Sequence, residues 1–268
     1  MVTLSRKSVL FLCSTIIVTS SIISGMMAWN SLFSETRAYD ELEDRGAQLG
    51  ILLPEDRKCR VGFPDNISCR EMRITPELIS LMLRLHSIQC IQLRDCQVDR
   101  GALKEINNSC PLLLLRFIGN CFTDDVSETL PPISSLRHLD CVLCPITNRG
   151  VRHLCRSFPN LVVLGIHGTA CTSEAADSIS CLKNLKTLSI VNTGWDGESI
   201  LRIIKCLSVE NLEIPQSIAT DNFISELQKV DRVKSVTCKN PAMKYHADHQ
   251  NPTHQTVSVI FRIEYSLQ

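Results

Sequence analysis

Three histidines set close together (His246, His249 and His254) and fourteen cysteines are the side chains of this 268-residue chain best suited to metal ligation or nucleophilic attack. A zinc site needs imidazole and thiolate ligands at spacings that one turn or one helix face can bring together. No His/Cys spacing in the chain matches a zinc module. The histidines lie in a stretch with Asn251-Pro252 and no apolar period, so it reads as a solvated connection. A glycine loop for nucleotide phosphates, a His-Glu-x-x-His helix and a Gly-x-Ser-x-Gly elbow are absent from the sequence. No base partner is evident for any cysteine. The reading is therefore of a protein that is not an enzyme, with no catalytic residue, no metal and no cofactor. The enzyme alternative, a metal hydrolase, rests on the histidine stretch alone.

A second set of polar side chains is more informative because of its spacing. Arg94, Arg116, His138, Asp140 and His167 fall in columns with Ile118 and Val142 when the chain is aligned on its own period. That period runs through Ile88, Ile91, Leu93, Cys96 and Val98, then through Leu112, Leu115, Phe117, Asn120 and Phe122. It returns from Leu136, Leu161, Leu185 and Val209, at steps of 24, 24, 25, 24 and 24 residues. Weaker copies start at Ile67 and Val233. A period in the twenties with apolar residues at fixed offsets is the mark of a stacked solenoid.

Within each unit the central apolar pair is two residues apart, as in Leu115 and Phe117, so both face one side of a strand. Three residues later comes Cys96, Asn120, Cys144, Thr169, Thr193 or Ser217, small groups suited to a hydrogen-bonded ladder inside a turn. Asp99, Thr123, Thr147, Thr172, Asp196 and Thr220 then offer helix N-caps, and apolar residues at helical spacing follow. Each unit is strand, turn, helix, return.

These units resemble the leucine-rich repeat family over residues 65–241, through the motif Leu-x-x-Leu-x-Leu-x-x-Asn/Cys-x-Leu. The Cys/Asn ladder and helical return are most similar to the cysteine-containing and ribonuclease-inhibitor-like subtypes. The Ile-Thr step at Ile74 and Ile146 looks like membrane-anchored bacterial members. The resemblance implies an α/β, right-handed solenoid of about eight repeats of 24–25 residues, with a concave parallel sheet and convex short helices. Cys69, Cys141 and Cys238 replace Leu, and Pro215 interrupts one strand.

The N-terminus carries a second signal. Arg6 and Lys7 precede an uncharged run from Ser8 to Trp29, long enough as a helix to cross a hydrocarbon core of about 30 Å. Trp29 suits an interfacial position, and the preceding basic residues favour an inner N-terminus with the repeats outside the cytoplasm. The expected order is an inner tail (1–7), a transmembrane signal anchor (8–29), a stalk (30–47), an N-terminal cap (48–64), the repeats (65–241), and a loop with a C-terminal cap strand (242–268). A cleaved signal peptide is the rival for 8–29. Cys59–Cys69 and Cys181–Cys206 are the pairs considered for disulfides, while the other repeat cysteines read as small buried hydrophobes.

Lys and Arg number 28, as do Asp and Glu, so zero formal net charge gives no general reason to expect nucleic-acid binding. The outward strand columns gather Ile118 and Val142 within a border of Arg94, Arg116, His138, Asp140 and His167. An apolar centre with a polar border is how a protein-binding surface tends to look. The expected function is a membrane-tethered, non-catalytic recognition or scaffold protein that binds a protein or peptide on the concave face. The alternatives are an intracellular substrate adaptor of the ubiquitin-ligase type and a structural envelope protein without a specific ligand.

Overall fold

The computed structural model describes residues 34–38, 40–50, 66–106, 111–119, 121–239 and 259–262. Its frame is a ten-stranded sheet. Eight strands run parallel in sequence order: β2 (Asn66–Arg70), β4 (Cys90–Arg94), β6 (Leu114–Ile118), β7 (His138–Val142), β8 (Val163–Gly165), β9 (Thr187–Ser189), β10 (Asn211–Pro215) and β11 (Ser235–Lys239). Antiparallel strands close both ends: β1 (Gln48–Gly50) pairs with β2, and β12 (Val259–Arg262) pairs with β11. Two short strands, β3 (Arg73–Ile74) and β5 (Gln97–Val98), form a separate parallel pair.

Helices alternate with the strands: α2 (Pro76–Met82), α3 (Asp124–Thr129), α4 (Asn148–Ser157), α5 (Ala176–Ile179), α6 (Gly197–Cys206) and α7 (Asp221–Gln228). An earlier helix, α1, covers residues 34–38 and 40–44. The core lies between the sheet and this helical row. Leu115, Leu139, Leu164 and Leu188 are all at most 1% exposed, as period two demands of the inward face. Val151 and Leu154 of α4 and Ile200, Ile203 and Ile204 of α6 meet them from the other side. Phe117 and Phe122 stack with ring centroids 4.0 Å apart.

Two ladders bind each repeat to the next. In the first, a residue one to three positions past the strand is left-handed: Glu71, Asp95, Gly119, Leu143, Gly168 and Asn192 all have positive φ. The N–H of each of the first five donates to a carbonyl of the following repeat, as in Asp95 to Ile118 and Leu143 to His167. In the second, small side chains donate back to strand carbonyls. Cys96 Sγ reaches Cys69 and Arg94, Cys121 Sγ reaches Leu93 and Ile118, and Cys144 Sγ reaches Phe117 and Val142. Thr169 and Thr193 do the same within their own turns. The second rung is Cys121, next to the expected Asn120, which lies outside the described residues.

The ladder stops before Ser217. After Pro215 the chain enters a 3-10 turn (Gln216–Ile218), and Ser217 is exposed. Asp99 also departs from expectation. Its carboxylate accepts from Arg73 Nε at 2.9 and 3.1 Å, and the following turn is a 3-10 segment (Ala102–Glu105) capped by left-handed Gly101. Thr123, Thr147, Thr172, Asp196 and Thr220 do cap helical turns with their side chains, as does Thr75.

The caps are themselves linked across repeats. Asp124 Oδ1 accepts from the N–H groups of Thr147 (2.8 Å) and Gly150 (3.1 Å), while Oδ2 accepts from the Thr147 hydroxyl (2.6 Å). Asn148 bonds Thr172 through both its amide atoms, and Ser173 bonds Asp196. In these three turns the first residue thus satisfies a donor at the start of the next one, which the helix end would otherwise leave open.

Within the expected stalk (30–47), residues 34–38 and 40–44 are helical and pack on the repeats. Ala38 and Leu42 are fully buried in the core, and Glu35 meets His86 Nδ1 at 2.6 Å, so α1 covers the first repeat. The inner tail and the expected anchor at 8–29 lie outside the described residues, and no described helix is long and apolar enough to cross a membrane. The His246, His249 and His254 stretch also lies outside them. All eleven described cysteines are free thiols, including Cys69, Cys181 and Cys206; Cys59 is outside the described set. Burial pushes the thiols of Cys69, Cys155 and Cys171 up to about 12, so these groups stay protonated at neutral pH.

Candidate functional site

The sheet face turned away from the helices carries three columns of side chains. Their register follows from the strand pairing. Asn66, Cys90, Leu114, His138, Val163, Thr187, Asn211 and Ser235 form one row. Ser68, Gln92, Arg116, Asp140, Gly165, Ser189, Glu213 and Thr237 form the central row. Arg70, Arg94, Ile118 and Val142 form the third, and His167 follows β8 just beyond its last paired residue.

Asp140 is the node of this face. Arg116 donates to its Oδ2 through Nε (3.0 Å) and Nη2 (2.9 Å), and His138 Nε2 stands 2.9 Å from the same oxygen. These neighbours leave Asp140 only 8% exposed although it points away from the core. Burial by itself pushes its carboxyl up. The hydrogen bonds and charges of His138 and Arg116 more than offset this, and the group lies below its ordinary range. Its other oxygen, Oδ1, lies over Gly165. A Cβ at position 165 would collide with that oxygen and would stand 3.2 Å from His167 Nε2.

From Gly165 the polar chain continues. His167 Nδ1 is 3.2 Å from Ser189 Oγ, and the Ser189 hydroxyl donates to Glu213 Oε2 at 2.6 Å. The order Asp140, His167, Ser189 mimics the residue types of a hydrolytic triad, but its proton connections are different. Ser189 is 5% exposed, and its proton is committed to Glu213 rather than to the imidazole. The arrangement fixes side chains across four strands; it does not expose a nucleophile. Because Ser189 donates to Glu213, its lone pair faces His167 Nδ1, which favours a proton on that nitrogen.

Of the expected site residues, Arg94, Arg116, Ile118, His138, Asp140 and Val142 lie on three adjacent strands, β4, β6 and β7. His167 lies beside them through the space over Gly165. Ile118 and Val142 are register partners and both half-buried. Leu143, at 39% exposure, extends their apolar surface; its side chain rests where a Cβ at Gly168 would project. Gly165, Ser189 and Glu213 stand in the central row with Arg116 and Asp140, but their connection depends on side-chain rotamers, which spacing does not show. Leu143 was hidden because the alternation of strand faces ends at Val142. Among the described residues no group of three or more His, Cys, Asp or Glu side chains is placed to hold a metal ion.

No family model matches the chain, and no curated protein matches it.

Proposed function

We propose that the chain is a leucine-rich-repeat solenoid acting as a non-catalytic recognition or scaffold module. Residues 8–29 tether it to a membrane with the repeats outside the cytoplasm. The outward, concave face of the sheet takes a protein or peptide partner. The observation that carries this reading is the in-register pair Ile118 and Val142. This half-buried apolar pair lies beside Arg94 and the Arg116–Asp140–His138 cluster. Rigid positioning of apolar groups inside a polar border is the arrangement by which interfaces exclude water around a few anchors.

The test has two arms. Cross-linking on intact cells with the full-length chain identifies a partner, which is then purified and titrated against the wild type and the Ile118→Asp/Val142→Asp double variant. The double variant is expected to lose binding while keeping the circular dichroism spectrum and melting temperature. Unchanged affinity in a folded variant overturns this location. For the tether, the full-length protein is expected to stay with membranes through high salt and alkaline carbonate. Release by carbonate overturns the membrane reading.

A further inference from the structure

Arg94 stands apart from the other charged groups of this face. Arg116 is held by Asp140, and Arg70 Nε donates to Glu71 at 3.0 Å. The Arg94 guanidinium, half-buried on β4, has no hydrogen bond or ion pair among the described residues. Its register partner on one side is Arg70. Like charges directly opposite on neighbouring strands repel. The nearest acid in sequence, Asp95, does not relieve this. Asp95 has a left-handed backbone, and its carboxylate is turned over Gly119 in the next repeat, where a Cβ would collide with it. On the other side, Arg94 faces Ile118, and Ile118 faces Val142.

Along this column, strand by strand, the order is therefore Arg70, Arg94, Ile118, Val142: two cations and then two aliphatic side chains. Strands are about 4.8 Å apart, and an extended peptide advances about 3.3 Å per residue, so a short segment crossing the strands meets all four. A carboxylate beside Arg94 would receive a planar guanidinium fork and remove the repulsion with Arg70. Apolar residues next to it would cover Ile118, Val142 and the exposed Leu143.

We infer that the partner of this face is an acidic–apolar peptide segment, crossing β4, β6 and β7 in extended form with a carboxylate on Arg94 and aliphatic side chains on Ile118 and Val142. This rests on the proposed peptide-binding role of the same face. It adds the chemical class and the direction of the occupant. Reading from the β4 side, the acidic residue comes first and the apolar residues follow.

A random linear peptide library displayed on phage, panned against the full-length chain in detergent micelles, tests it. Enriched peptides are expected to share an Asp or Glu next to two aliphatic residues. One such peptide, synthesised with a fluorophore, is then titrated in its carboxylate and carboxamide forms. Arg94→Gln is expected to weaken the carboxylate form about tenfold or more and to leave the carboxamide form unchanged. Arg70→Gln has the smaller effect, because Glu71 already engages that side chain. Ile118→Asp removes binding of both forms. Melting temperatures of all variants are expected to match the wild type, since these side chains leave the core face. Enriched peptides without an acid, insensitive to Arg94→Gln but lost with Ile118→Asp, overturn the acidic–apolar assignment and leave the face a peptide site. Absence of enrichment, or binding insensitive to both substitutions, overturns both readings.

Discussion

Asp140 of β7 and Gly165 of β8 face each other across adjacent strands, and the carboxylate occupies the space that a side chain at 165 would fill. Gly165→Ala is therefore expected to displace Asp140 from Arg116 and His138. Overpacking of this kind costs about 1–3 kcal/mol. Combining Gly165→Ala with Asp140→Ala should cost clearly less than the sum of the two, because the methyl then enters vacated space. Additive costs in urea denaturation would show that the two positions do not compete.

The same carboxylate makes stability depend on pH in a defined direction. Asp140 titrates below its ordinary range in the folded chain, because His138 and Arg116 outweigh the upward push of burial. Its contribution is fully present above the unfolded value of about 3.9. It is lost as pH falls through the lower folded value, where the native state must take up a proton. Asp140→Asn is expected to lower stability at neutral pH by about 1–3 kcal/mol. The variant should also lose less stability than the wild type between about pH 5 and about pH 2. Parallel acid limbs in the two proteins would assign the acid sensitivity elsewhere.

Asp124 and Asp125 are neighbours with different consequences. Asp124 accepts three hydrogen bonds from the cap of α4 in the next repeat, whereas Asp125 makes an exposed ion pair with Arg149. Asp124→Ala is expected to cost about 1–2 kcal/mol, the range for loss of a helix cap. Asp125→Ala should cost well under 1 kcal/mol, as exposed pairs do. Equal shifts in denaturation midpoint would remove the bridging role from Asp124.

Leu139, inside β7, and Leu143, just after that strand, give a further contrast. Leu139 is fully buried and Leu143 is 39% exposed with positive φ. Leu139→Ala should destabilise by about 2–5 kcal/mol through the cavity it leaves. Leu143→Ala should change stability by no more than about 0.5 kcal/mol. Chemical denaturation of both variants reads the difference directly.

The strands were legible in the sequence because period two at fixed offsets determines both the strand and its inward face. The apolar pairs Ile91/Leu93 and Leu115/Phe117 flank Gln92 and Arg116, the middle residues of β4 and β6. The helix caps were legible at Thr123, Thr147, Thr172, Asp196 and Thr220 for the same reason of position. What escaped was contact between repeats. Asp124, Asn148 and Ser173 look like ordinary polar residues of a first helical turn, and their partners lie about one period away. At the second rung two adjacent residues, Asn120 and Cys121, both suit a ladder, and composition does not decide between them. At Asp99, a distant arginine, Arg73, takes the carboxylate that local spacing assigns to a cap. The candidate site was legible as columns, whereas Asp140 as a shared acceptor required knowledge of rotamers.

The two inter-repeat ladders do not run the full length of the sheet. Left-handed turns recur from Glu71 to Asn192, and the side-chain rungs that cross between repeats run from Cys96 to Cys144. Thr169 and Thr193 bond only within their own turns, and Pro215 leads into a 3-10 turn before β11. Stacked repeats behave as a chain of nearest-neighbour couplings, so opening starts where a coupling is weakest. The chain should therefore fray from the β10–β11 end inward. Amide protons there should exchange earlier than those of β6 and β7, where the Arg116–Asp140–His138 cluster sits. Local melting at that end would shed the last repeats while the face that carries Ile118, Val142 and the Arg116–Asp140–His138 cluster stays assembled.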